Sequence, residues 1–133
     1  MSPGQALLAA GVVAAMALAG CGPIDSPGPA DSAGSLGELC RARAAEPGEV
    51  EAHVAEVHQQ LHRLAGELEQ RDRAAAADLL RAKQAVESTL AQPPEAREAM
   101  DGKLRALIEA VRRGRRVLDR AAPDCDTLDV EGG

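Results

Sequence analysis

Two histidines and a run of arginines are the residues whose types and spacing could do chemistry. His58 and His62 stand four apart, a separation that puts two imidazoles on neighbouring positions of a helix surface and suits chelation of Zn, Cu or Ni. His53 falls on the other flank of such a helix, and Glu51 and Glu69 are misplaced to complete a site. A third ligand would have to come from another helix, and the plainer reading is a solvated helix face with no metal. Arg112-Arg113-Gly114-Arg115-Arg116 is the one dense charge run. It could meet anionic headgroups or an acidic polymer. Alternatively it is paired locally, Glu109 with Arg113 and Arg115 with Asp119 at four-residue spacing, with Asp124, Asp126, Asp129 and Glu131 folding back over it. No nucleophile with its base and orienting residue, no Gly-rich phosphate loop and no paired-carboxylate motif can be assembled, so the chain is expected not to be an enzyme and to need no cofactor.

The elements that must position these residues are constrained by composition. The chain has 133 residues, a formal net charge of −6 and no Phe, Tyr or Trp. A core of Leu, Val, Ile, Met and Ala suits closely packed helices far better than strands, which favour aromatic and β-branched residues. The length allows one domain. Side chains this small bury little surface each, so a covalent staple is expected. The acidic balance argues against a nucleic-acid partner.

Ala6 to Ala19 reads ALLAAGVVAAMALA, without a charge. At 1.5 Å per residue this run spans about 21 Å, short of the roughly 30 Å hydrocarbon core, and so reads as the apolar region of an export signal. Leu18-Ala19-Gly20-Cys21 follows at once. That tetrapeptide resembles the lipobox of bacterial lipoproteins. The resemblance implies a thioether-linked diacylglycerol on Cys21, cleavage before it, and a membrane anchor outside the cytoplasm. Gly22, in place of Asp, further implies the outer membrane of a two-membrane cell, or the outer face of the plasma membrane where there is only one. It covers the first 21 residues and is silent on the rest.

Export carries a consequence for the other thiols. With Cys21 taken by lipid, Cys40 and Cys125 remain, and an even pair in an oxidising compartment is expected to form a disulfide. Two topologies are expected to permit it: a short helix folded back along the base of a hairpin, or an up-and-down bundle in which first and last helices finish at the same end.

Residues 1–20 are thus read as a lipoprotein signal peptide, 21–35 as the lipidated start and a flexible, disordered Gly/Pro/Ser/Asp tether, 36–122 as the helical domain and 123–133 as an acidic tail. Leu36 to Ala45 can form a short helix stopped by Glu46-Pro47-Gly48. Val50, Val54, Val57, Leu61, Leu64 and Leu68 recur at alternating steps of four and three, one apolar stripe on a helix. The register continues through Asp72, Ala75, Leu79, Ala82, Val86 and Leu90. The high helix propensity of Ala74 to Ala77 favours one helix from Glu49 to Ala91; the alternative is a break with Asp72 as N-cap. Gln92-Pro93-Pro94 ends the segment, and a last helix is expected from Glu95 to Ala121 with Met100, Leu104, Leu107, Val111 and Leu118 inward. The fold class is all-α, a helical hairpin or small three- to four-helix bundle with coiled-coil-like packing. The expected role is an envelope interaction or structural module contacting another envelope protein or a second copy of itself. The alternative is a metal-responsive or metal-buffering lipoprotein using His58 and His62.

Overall fold

The computed structural model describes residues 28–128, with side chains from residue 34 onward. The apolar leader, Cys21, Asp129 and Glu131 lie outside the described residues. Four helices make up the fold: α1 (Gly28–Ala44), α2 (Val50–Glu69), α3 (Arg73–Leu90) and α4 (Met100–Val117), with 3-10 turns at Pro47–Glu49 and Pro94–Ala96. Each packs on its sequence neighbour and α4 closes on α1, giving an up-and-down four-helix bundle. Cross-helix pairs fix the directions: Arg43 to Asp101 between α1 and α4, and Arg113 to Asp78 between α4 and α3. The start of α1, the α2–α3 turn and the close of α4 therefore share one end, the lower end. The α1–α2 and α3–α4 connections share the upper end.

The core is the apolar stripes brought face to face. Leu36 and Leu39 of α1, Val57, Leu61 and Leu68 of α2, Leu79 and Val86 of α3, and Leu104, Leu107 and Val111 of α4 are fully buried. Burial of each stabilises the fold by about 1.5–3 kcal/mol. Among the described residues only Leu80 is an exposed large apolar side chain, and no helix is long and apolar enough to cross a membrane.

Four features differ from the expectations. The stretch from Glu49 to Ala91 is two helices. Asp72 is extended, with φ −151° and ψ 93°, and its Oδ1 accepts the Ala75 backbone N–H at 3.0 Å. A single long helix would leave half its stripe in water, whereas folding at Asp72 lets α2 and α3 cover one another, which outweighs local propensity. The polar interruption of the stripe is thus the cap itself.

The tether boundary also moves. Helix α1 begins at Gly28, so residues 28–35 of the expected linker are helical. Pro29 falls in the first turn, where a missing N–H costs nothing.

Helix α4 begins at Met100, not Glu95. Arg97 is non-helical and turns back, donating to the carbonyls of Gln92 and Leu90 at 2.8 and 2.9 Å, and so closes the end of α3. It ends at Val117, where the Arg120 N–H reaches Arg115 O and the Asp119 N–H reaches Arg116 O, a Schellman closure with Asp119 left-handed at φ 60°.

Cys40 and Cys125 are joined, with Cα atoms 5.6 Å apart. The route is not the expected one, because in this bundle α1 and α4 finish at opposite ends. After Asp119 the chain reverses and runs back along α4. Arg115 Nε donates to Ala121 O, and Arg112 Nε donates to Ala122 O at 3.0 Å. This strap carries Cys125 up to Cys40 and packs Leu128 against the core.

Candidate functional site

His58 and His62 come together as their spacing requires, ring centroids 4.7 Å apart and edge-on. Helix α3 brings one carboxylate to them, Glu87, whose Oε2 lies 3.3 Å from His58 Nδ1. That same oxygen accepts a 2.7 Å hydrogen bond from Lys83 Nζ. Burial pushes the Glu87 carboxyl up, but the hydrogen bond and charge of Lys83, then those of His58, outweigh it and hold the group below the ordinary glutamate value. Among the described residues no group of three or more His, Cys, Asp or Glu side chains is arranged to hold a metal ion. His53 stands apart, its Nδ1 2.6 Å from Glu38 Oε2, tying α2 to α1.

Lys83 is buried although it sits on a helix whose register marks it polar. Its stem lines the core while its ammonium reaches one turn along to Glu87, which stands at the surface. The Lys-to-Glu step of four was the available signal.

The arginine run is dispersed, and its partners are not those expected from spacing. Arg112 pairs with Glu109 at 2.6 Å, Arg113 with Asp78 at 2.9 Å, and Arg120 with Glu67 at 2.7 Å. Arg115 is buried, and its Nη1 has no partner among the described residues. Burial, with the charge of Arg120, draws its pKa down, though a guanidinium stays ionised at any physiological pH. Gly114 in the middle of the run is required by packing: a Cβ there would stand 2.7 Å from Leu68 Cδ1. Arg116 is exposed and has no partner among the described residues. The run is therefore largely structural, holding the strap and α3 to α4.

A cleft lies at the upper end, between the α1–α2 connection and the start of α4. It encloses about 550 Å³, within the range of ligand clefts. Its apolar surface comes from Ala42, Ala45, Pro47, Val50, Pro94, Met100 and Leu104, and its rim from Arg43, Glu95, Arg97, Glu98 and Asp101. The rim cations are engaged internally: Arg43 Nε meets Asp101 Oδ1 at 3.0 Å, and Arg97 caps α3. Glu95 and Glu98 are exposed and take part in no hydrogen bond or ion pair among the described residues. Sequence reasoning missed this cleft. Its signal was the pair of proline-bearing breaks, Glu46-Pro47-Gly48 and Gln92-Pro93-Pro94, which an up-and-down bundle places at one end.

No protein-family model, no curated protein and no solved structure matches the chain.

Proposed function

We propose that the chain is a lipid-anchored lipoprotein of the bacterial cell envelope whose helical bundle is a non-enzymatic interaction module. The observation that carries this reading is the lipobox Leu18-Ala19-Gly20-Cys21 placed ahead of a domain closed by the Cys40–Cys125 disulfide. Structural disulfides belong to exported proteins, and the lipobox supplies the export route. Topology adds support. Only residues 22–27 separate Cys21 from α1, which starts at the lower end and rises about 25 Å over its 17 residues. An anchor at Cys21 would hold the lower end near the headgroups and leave the upper cleft facing away, toward an envelope partner. The apolar stripes are spent inside the bundle, so a second copy could not use them without opening it, and a different protein is the better partner.

Mass spectrometry of the protein from its native host tests the anchor. The expected product begins at Cys21 with a diacylglyceryl thioether, and Cys21→Ala accumulates with residues 1–20 attached. An unmodified chain that retains those residues would refute the anchor.

A further inference from the structure

We propose that the upper cleft binds a short cationic and apolar segment of a partner protein, the segment's aliphatic side chains on Pro47, Pro94 and Met100 and its positive charges against Glu95 and Glu98. This deepens the interaction-module reading and rests on it for the idea that a partner exists. The commitment to a cation follows from which rim charges remain available. Arg43 Nε is paired with Asp101, itself also 4.0 Å from Arg105, and Arg97 turns its Nε and Nη2 inward to the carbonyls of Gln92 and Leu90. An incoming segment therefore meets two unmatched carboxylates, with Glu46 and Glu49 exposed and equally unpaired on the neighbouring connection. The lining sets the carboxylates of Glu95, Glu98 and Asp101 against the guanidinium groups of Arg43 and Arg97, and Glu46 and Glu49 add to that negative excess, which repels an anionic segment. The apolar requirement follows from Pro47 and Pro94, exposed at the mouth of the cleft, and from Met100 at its base. Its size admits two or three side chains and not a whole helix.

The composition supplies a clean assay. The chain has no Phe, Tyr or Trp, so a tryptophan in the probe is the sole fluorophore. Met100 is the one methionine beyond Met16, so its labelled methyl reports on the cleft alone. The full chain in phosphatidylcholine bicelles is titrated with the peptide acetyl-Lys-Leu-Trp-Lys-Leu-amide and with its counterpart carrying Glu for Lys, blank bicelles being subtracted. The expected result is a saturable shift of the Met100 methyl with the lysine peptide and at least tenfold weaker binding of the glutamate peptide. Glu95→Gln with Glu98→Gln, both at exposed positions, should weaken the lysine peptide at least fivefold at low salt and narrow the gap between the two. Equal affinity for both peptides, an unaffected double variant, or no saturable shift at Met100 would overturn the proposal. Acylation of Cys21 plays no part in this titration, so its failure and failure of the anchor are told apart.

Discussion

At the lower end, Asp72 caps the start of α3 through its side chain, Asp119 closes α4 in a Schellman turn, and Arg71 Nη2 donates to Val117 O at 3.1 Å across the α2–α4 gap. At the upper end, the residues preceding α2 and α4, Glu49 and Ala99, make no side-chain cap, and the chain crosses between helices through two proline-led 3-10 turns. The lower end also has Gly114 set so close on Leu68 that an added Cβ would stand 2.7 Å from Leu68 Cδ1. The upper end has the cleft. Side-chain and Schellman closures gather at the lower end, and the end whose helices start without a side-chain cap is the one with the cleft.

The strap that joins the two ends should show the largest effect. Cys40→Ser with Cys125→Ser opens a loop with a sequence separation of 85, which on the chain-entropy model costs about 4 to 5 kcal/mol. Urea unfolding should register that loss, with the Arg112 and Arg115 bonds, the Arg120–Glu67 pair and Leu128 left to hold the strap. A loss below about 1 kcal/mol would show that the strap does not unite the two ends.

Next comes one substitution made at both ends of α4. Gly114→Ala puts its Cβ against Leu68, which is fully buried and cannot swing away, so a net loss of about 1–2 kcal/mol is expected. Gly102→Ala meets nothing within 4 Å and should gain up to about 1 kcal/mol from helix propensity. Thermal unfolding of the pair checks the signs, and two changes of the same sign would break the contrast between ends.

Capping provides a smaller contrast. Asp72→Ala removes the bond to the Ala75 N–H and should cost about 1 kcal/mol, while Glu49→Ala, at a position without a cap bond, should stay within about 0.5 kcal/mol of the parent.

The smallest effect concerns Glu87 on the α2–α3 face. Its folded pKa is lowered, so its contribution is present above the unfolded carboxylate value and fades as pH falls through the lower, folded value. Acid titration of stability should therefore show a loss on the acid side of the ordinary glutamate range, and Lys83→Met should shrink it. An unchanged acid profile in Lys83→Met would remove Lys83 as the cause.

How far the site could be read in advance follows from range of interaction. His58 and His62 share a face because of helix geometry alone, but the arrival of Glu87, and its prior engagement by Lys83, needed α3 folded against α2. For the arginines at 112–116 the sequence offered either an anion-binding patch or pairing at four-residue spacing, and the pairs it named, Glu109 with Arg113 and Arg115 with Asp119, are not the ones formed. Asp78 and Glu67, which lie far off in sequence, take up Arg113 and Arg120, and backbone carbonyls of the strap take up Arg112 and Arg115. Glu95 and Glu98 read in the sequence only as acids suited to the amino end of the last helix; they matter because the cleft wall brings them together with Asp101 against two guanidinium groups.

From the chain alone came the helical class, from an aliphatic composition without aromatics, and the inward faces of α2, α3 and α4, from residues repeating with the helical turn. Periodicity is local and survives in any fold that buries one face. What tertiary structure decided was the fold point at Asp72, the reversal at Asp119 that carries Cys125 back to Cys40, and the cleft between two connections distant in sequence. Each depends on which stripes cover one another, a free energy shared between segments that no single segment contains.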